Sequence, residues 1–185
     1  MRPYEWSDYI REYSEKLCFA DEAVRLVSSG NIIRYVLGGE NYLDRALAQR
    51  KNELKNIIVY TQSPYDQYCI QKADSTGRHF TLKNAPLDLK QKEPEKSNGR
   101  NQEKIKGFIV MAAVSPMDEC GYFWFIPDEP FKYQAEIDRA QYVIVEINEF
   151  IPSNGNVGSE CVHISNVHCI VPGRNAPLMQ KPCCV

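Results

Sequence analysis

Two short stretches hold the residues of this sequence whose types and spacing could do chemistry. The first, "VSPMDECGYF" (114–123), combines a serine, two acids, a cysteine and aromatic side chains directly after the apolar run "GFIVMAAV". The second, "GGEN" (38–41), joins an apolar, β-branched run to a segment with helical spacing. Because loops at strand ends carry most binding and catalytic groups of α/β proteins, both stretches are candidate site loops.

The stretch "GGEN" is typical of an anion-binding turn at the start of a helix. Gly38, Gly39, Glu40 and Asn41 precede the helical segment, where backbone N–H groups and the helix dipole can receive a carboxylate or a thioester oxyanion. The alternative is a plain tight turn, in which the two glycines supply conformational freedom and Asn41 caps the helix.

The stretch "SPMDECGY" also has two interpretations. Ser115, Asp118 and Tyr122 could line a substrate cleft. In the structural alternative, Pro116 fixes its own backbone angle, Asp118 accepts hydrogen bonds from nearby backbone and Gly121 allows the chain to reverse. All five residues are therefore candidates for substrate binding or for shaping the loop.

Two histidines and two cysteines occur within "CVHISNVHC" (161–169), and these are residue types that bind zinc. The first pair alternates along a predicted strand, whereas the second pair is adjacent, and no further paired ligands accompany them. We therefore expect no metal site. His163 and Ser165 are expected instead to stabilise a sheet edge or a domain junction by hydrogen bonds.

The surrounding sequence predicts an α/β fold with a mostly parallel sheet flanked by helices. Strands are predicted at 31–37, 56–61, 107–114 and 141–147, and helices at 20–30, 42–54 and 130–140. The opening strand–helix–strand order is a crossover unit, which requires parallel strands. Continuous apolar runs indicate central strands covered on both faces, and we expect the following residues to be buried in them: Val110, Ala112, Val114, Val143 and Val145.

Composition sets the remaining expectations. The 185 residues suit one domain (1–185), interrupted by a polar insert at 88–106 that we expect to be flexible. A net charge of −2 gives no basic field for nucleic acid, and the apolar runs are too short to span a membrane. The polar start and the seven scattered cysteines lead us to expect reduced thiols and a cytoplasmic location.

Three stretches, in order, resemble one family, that of acetyl-CoA hydrolase and 4-hydroxybutyrate CoA-transferase. "ADEAVRLVSSGNIIRYVLGGENYLDRALAQRKNELKNIIVY" resembles the opening of that family, and "VSPMDECGYF" is similar to its "VSPPDEHGY" loop. "AQYVIVEINEFIPSNGNVGSECVHISNVHCIV" resembles its "AKIVIAEVNDQMP…FIHVSEIDYIV" segment. The 4-hydroxybutyrate CoA-transferase type is the most similar.

The resemblance implies one half of a two-half enzyme. Family members contain two similar halves of a CoA-transferase-like (NagB/RpiA-type) fold, and the resemblance covers the N-terminal one. It implies transfer of CoA, as a substrate and not a bound cofactor, between an acyl-CoA such as acetyl-CoA and a short carboxylate such as 4-hydroxybutyrate. The nucleophilic glutamate and the glycine-rich CoA motifs lie in the family's second half, so a C-terminal half or subunit is the implied partner. Glu40 matches a first-half glutamate that is not the nucleophile.

Departures from the family pattern shape the remaining expectations. Cys120 stands at the loop histidine and Met117 at the second proline, which puts a histidine-based role in doubt. The region between the second strand and the loop is shortened, so we expect a piece of the sheet to be absent. Two alternatives to a CoA-transferase half stay open: a non-catalytic remnant or binding module with the same fold, and a small zinc-binding domain.

Overall fold

A six-stranded parallel sheet forms the centre of the protein. The computed structural model describes residues 5–37, 41–61, 68–84, 104–126, 133–153 and 160–173. Its helices are α1 (Trp6–Lys16), α2 (Ala20–Ala23), α3 (Tyr42–Gln49), α4 (Cys69–Ala73) and α5 (Gln134–Arg139), with short 3₁₀ turns at Val24–Leu26 and Ile164–Asn166. Its strands are β1 (Ile32–Val36), β2 (Ile57–Thr61), β3 (Phe80–Asn84), β4 (Ile105–Val114), β5 (Tyr122–Trp124), β6 (Ala140–Ile147), β7 (Cys161–His163) and β8 (Cys169–Val171).

The strand order is β3-β2-β1-β4-β6-β8, and every pair in this sheet is parallel. β1 lies between β2 and β4, with Ile33 opposite both Val59 and Ile109. Strands β5 and β7 form a separate antiparallel pair. This architecture confirms the predicted α/β class. Because the strands of the sheet run in one direction, the loops that follow β1, β4 and β6 emerge at the same edge.

Side chains of the central strands alternate between two hydrophobic cores, one on each face of the sheet. Ile33, Met111 and Ile144 face the core beneath α2, α3 and α4, whereas Val110 and Val143 face the core that contains α5, β5 and β7. The five residues predicted to be buried in central strands are all at 0% exposure, which confirms the prediction: Val110, Ala112, Val114, Val143 and Val145.

A charged pair ties α5 to the sheet inside the second core. Arg34 of β1 is 1% exposed, and its Nε and one terminal nitrogen donate to the two carboxylate oxygens of Glu136 at 2.7 and 2.8 Å. The guanidinium also lies 5.7 Å from the ring centroid of Tyr60. Bidentate geometry of this kind is what allows a buried charge to be tolerated.

The region between β2 and β4 corrects two expectations. The expected loss of a piece of sheet there is wrong, because α4 and β3 fill it and β3 pairs with β2 along its whole length. Strand β4 begins at Ile105, so the last two residues of the predicted 88–106 insert belong to the sheet. Residues 88–103 of that insert lie outside the described residues.

Candidate functional site

The loop after β4 begins with a buried serine. Ser115 is 0% exposed; its Oγ accepts the Trp124 N–H at 3.0 Å and donates to the Pro116 carbonyl at 2.8 Å. Its backbone N–H donates to the Trp124 carbonyl at 2.9 Å. The hydroxyl and the backbone N–H of Ser115 therefore both hold the loop closed, and neither of these two groups is directed at solvent.

Asp118 organises the same loop through three hydrogen bonds. Its Oδ1 accepts the N–H groups of Cys120 and Tyr122, both at 2.9 Å. Its Oδ2 accepts the indole N–H of Trp124 at 2.9 Å. The carboxylate thus acts as a local anchor, as the structural interpretation of "SPMDECGY" predicts, and Tyr122, 37% exposed, presents the accessible aromatic surface of the loop.

Gly121 is required by both backbone angle and space. Its φ is +79°, and a Cβ there would lie 2.8 Å from the Tyr9 ring and 3.1 Å from His163 Nε2. The Tyr122 ring in turn packs edge-on against the His163 ring at 4.9 Å between centroids. The reversal predicted at Gly121 is therefore where the loop contacts α1 and β7.

The start of α3 is held by a buried carboxylate from another strand. Glu146 of β6, 2% exposed, accepts the backbone N–H groups of Tyr42 and Leu43, each at 2.9 Å. It lies opposite Ala113 of β4 and Val171 of β8 in the sheet register. Burial raises the pKa of Glu146, a shift that these two hydrogen bonds oppose. A protein carboxylate thus already occupies this helix N-terminus, so a substrate anion needs other donors.

A second buried carboxylate, that of Asp44, holds the start of the next helix, α4, in the same way. Asp44, 2% exposed on α3, accepts the N–H groups of Cys69 at 2.6 Å and Ile70 at 3.4 Å, at the start of α4. The Tyr35 hydroxyl lies 3.4 Å from it. Burial raises the pKa of Asp44 as well. The two carboxylates connect β6 to α3 and α3 to α4 at the edge where the strands end.

Only part of the predicted "GGEN" turn is described. Gly38, Gly39 and Glu40 lie outside the described residues. Asn41 is 7% exposed and occupies the N-cap of α3 with extended backbone, and its carbonyl accepts the Arg45 N–H at 3.2 Å. Its side chain makes no capping hydrogen bond. Asn41 therefore occupies the N-cap position that the tight-turn alternative predicts, but the Glu146 carboxylate, and not the Asn41 side chain, accepts the N–H groups of Tyr42 and Leu43.

The structure places Asn41 and the Ser115–Tyr122 loop at the same sheet edge, because they follow the adjacent parallel strands β1 and β4. Sequence reasoning missed Glu146, whose carboxylate holds the start of α3 at this edge. A signal was available: Glu146 is the only acid in the otherwise apolar run "YVIVEI", and a buried carboxylate needs hydrogen-bond donors.

The four zinc-type residues do not converge. His163 Nδ1 lies 2.8 Å from Ser165 Oγ, whereas His168 Nδ1 accepts the Val143 N–H at 3.0 Å. Within the described ranges, no group of three or more His, Cys, Asp or Glu side chains could hold a metal ion. None of the helices described in the structure is long and apolar enough to cross a bilayer.

The sequence is similar to enzymes that transfer CoA. It is 34% identical over 185 residues to butyryl-CoA:acetate CoA-transferase from Anaerostipes caccae, covering 91% of this chain and 41% of that protein. It is 29% identical over 184 residues to a probable butyrate:acetyl-CoA coenzyme A-transferase from Syntrophomonas wolfei, with the same coverage. The chain thus spans about two fifths of the length of these relatives. No protein-family model matches it.

Solved structures share the fold. The 4-hydroxybutyrate CoA-transferase from Porphyromonas gingivalis superimposes with a TM-score of 0.68 at 20% identity, covering 94% of this chain and 43% of that one. RipA from Yersinia pestis gives a TM-score of 0.68 at 23% identity, covering 95% and 46%. Fold and sequence together confirm the resemblance: the chain is a homologue of the N-terminal half of CoA-transferases.

Proposed function

We propose that this chain is the N-terminal half of a CoA-transferase that moves CoA between an acyl-CoA and a short carboxylate. Acetyl-CoA is the expected donor, and butyrate and 4-hydroxybutyrate are the expected acceptors. The observation that carries the proposal is the 34% identity to butyryl-CoA:acetate CoA-transferase across 91% of this chain. Since that match covers 41% of the relative, the activity requires a second half.

In the proposed reaction, the nucleophile comes from the second half. A glutamate carboxylate there attacks the thioester carbonyl and expels the CoA thiolate, which leaves an acyl–glutamyl anhydride. The thiolate then attacks the glutamyl carbonyl, releasing the donor's carboxylate and forming a glutamyl-CoA thioester. The acceptor carboxylate reverses these two steps and leaves as a new acyl-CoA.

This chain would supply one wall of the cleft. The wall consists of the "GGEN" turn (38–41) and the loop from Ser115 to Tyr122, including Pro116, Asp118 and Gly121. Support comes from Asn41 and the Ser115–Tyr122 loop, which follow β1 and β4 at the edge where these parallel strands end. Glu146 and Asp118 then act as positioning residues, because they hold the start of α3 and the shape of the loop.

A second candidate is a binding module or scaffold with the same fold and no turnover. It is favoured by the way the described polar groups are used: Asp118 accepts three hydrogen bonds from its own loop, and the α3 N-terminus is occupied by Glu146. Polar groups that are already hydrogen-bonded within this chain can shape a binding cleft without taking part in catalysis.

The test is a CoA-transfer assay with acetyl-CoA and either butyrate or 4-hydroxybutyrate. We expect no transfer by this chain alone, and transfer when it is combined with the C-terminal part of the Anaerostipes caccae enzyme that the alignment leaves unmatched. The acceptor giving the larger kcat/KM identifies the substrate. A complex of the two parts that forms but transfers no CoA would favour the scaffold.

A further inference from the structure

Two cysteines outside the candidate loops lie side by side where the connection between α1 and α2 meets β8. Leu17 and Ile170 form an isolated parallel bridge there, and the Cys18 N–H donates to the Ile170 carbonyl at 2.9 Å. Cys18 follows Leu17, and Cys169 precedes Ile170. Because successive side chains of extended backbone alternate between faces, Cys18 and Cys169 share the face opposite to that of the bridged pair.

The two thiols are in contact. The side chains of Cys18 and Cys169 hydrogen-bond to each other, and both pack against the core beneath α2, α3 and α4. Each is a half-buried, free cysteine. A disulfide requires two side chains that point towards each other from neighbouring stretches of backbone, and this pair is arranged in that way.

The surroundings make the two thiols chemically unequal. Burial raises the pKa of Cys169, and the hydrogen bond with Cys18 opposes that rise. Burial raises the pKa of Cys18 to about 12, and the neighbouring Cys169 adds to the increase. The Glu22 carboxylate on α2 raises the pKa of both thiols further. Since the thiolate is the attacking form of cysteine, Cys169 is the thiol of this pair that reacts first.

We propose that Cys18 and Cys169 are a redox-sensitive pair that forms a reversible disulfide with a low-molecular-weight disulfide as the oxidant, and that this bond locks the connection between α1 and α2 onto β8. In the reduced chain, hydrogen bonds and packing hold the connection there, and the disulfide would hold it covalently. Neither cysteine belongs to the candidate loops, so the chemistry of this pair is independent of CoA transfer.

The chemistry is a thiol–disulfide exchange in two steps. Cys169 loses its proton to solvent, its thiolate attacks one sulfur of the oxidant, and the other half of the oxidant leaves as a thiolate. Cys18 then loses its proton, attacks the Cys169 sulfur of this mixed disulfide and expels the second half. The two cysteines are oxidised together, and the oxidant is reduced to two thiols. Besides burial, Cys169 raises the pKa of Cys18, and this second cause disappears in the mixed disulfide, which favours the second step.

The bond would restrain more than the connection itself. α1 ends at Lys16, two residues before Cys18, and its Tyr9 ring lies where a Cβ at Gly121 would be 2.8 Å away. A covalent link at Cys18 therefore also holds the helix that packs against the candidate loop 115–122. Because the cross-link closes a loop that contains most of the chain, it should lower the entropy of the unfolded state and raise the melting temperature.

The experiment oxidises the full chain and locates the cross-link. The reduced chain is incubated under native conditions with oxidised glutathione, peptides are mapped without reduction, and the melting temperature is measured before and after oxidation. Cys18→Ser and Cys169→Ser each remove the pair. Cys161→Ser is the matched control, since Cys161 is also half-buried and free. It also separates two cysteines in the map, because Cys161 and Cys169 share one tryptic peptide.

We expect a cross-link between Cys18 and Cys169 in the unmodified chain and in Cys161→Ser, with a melting temperature that rises by about 5 °C or more on oxidation. Each rise is measured against the reduced form of the same variant, so that any loss of stability from the substitution cancels. Cys18→Ser and Cys169→Ser should show neither change, and Cys18→Ser should keep glutathione on Cys169. Unmodified thiols, or separate glutathione adducts on the two cysteines of the unmodified chain, would overturn the proposal. A cross-link that leaves the melting temperature unchanged or lowers it would overturn it too, because the connection would then not be locked in its native position.

Discussion

Glu146 is the residue that holds the start of α3 in place. It is an acid in an apolar strand, 2% exposed, and its two oxygens accept the first N–H groups of α3. The sequence predicts that a substrate anion binds at this helix N-terminus, and it did not reveal that the protein's own Glu146 carboxylate binds there. The residue type required for the interaction was predictable, but its partner, about a hundred residues away, depends on the register of β6 beside β4.

Replacing Glu146 should change the pH dependence of stability. Burial raises its pKa, so the folded chain keeps this proton at a higher pH than the unfolded chain does. The free energy of unfolding should therefore fall as pH rises from about 4.3 through the raised pKa. Glu146→Gln cannot titrate and should lack this part of the slope, although Asp44 contributes one of the same sign. Urea unfolding from about pH 4 to pH 8 measures the free energy of unfolding of the unmodified chain and of Glu146→Gln. If the two curves against pH run parallel, the raised pKa is not that of Glu146.

Gly121→Ala should destabilise the chain more than Gly30→Ala does. Both glycines have positive φ, +79° and +82°, but a Cβ at Gly121 would meet the Tyr9 ring at 2.8 Å, whereas nothing lies within 4 Å at Gly30. We expect a loss of about 1 kcal/mol at Gly30 from backbone strain and about 2 to 4 kcal/mol at Gly121, where overpacking is added. Thermal unfolding measures both. Equal losses would mean that the loop is not packed against α1.

At the scale of elements, the strands that the sequence predicted correctly are those with long apolar runs. β1, β2, β4 and β6 were predicted because continuous apolar residues are needed in a strand covered on both faces. α1 was missed because "WSDYIREYSEK" has few aliphatic residues and packs through tyrosines, with Tyr13 stacked on Phe123 at 6.2 Å between centroids. β3 was missed because it is an edge strand with a mostly accessible surface.

Val143→Asp tests the interior position of β6, between β4 and β8 in the sheet. Val143 is 0% exposed and lies opposite Val110 of β4, so an aspartate there would bury a charge without a partner. We expect a loss of roughly 3 to 5 kcal/mol in the free energy of unfolding. Thr81→Asp, at an exposed position of the edge strand β3, is the control and should cost less than about 1 kcal/mol. An unchanged melting temperature for Val143→Asp would contradict the strand assignment.

At the scale of the whole molecule, the fold was predictable and the site was not. Three stretches sufficed to indicate the CoA-transferase-like half, because their residues pack within this chain. Polar groups of Asn41 and of the Ser115–Tyr122 loop make local hydrogen bonds, so under the proposed function the chemistry of the cleft would depend on groups from a second half. No pattern within one wall specifies what the opposite wall contains.

The measurement that tests this account most directly locates the covalent intermediate. The chain is combined with the C-terminal part of the Anaerostipes caccae enzyme, acetyl-CoA is added without an acceptor, and the intact mass of each polypeptide is recorded. The account predicts a CoA thioester adduct on the second half and none on this chain, with the same result in Glu40→Gln. An adduct on this chain that disappears in Glu40→Gln would contradict it, because the nucleophile would then belong to the "GGEN" turn.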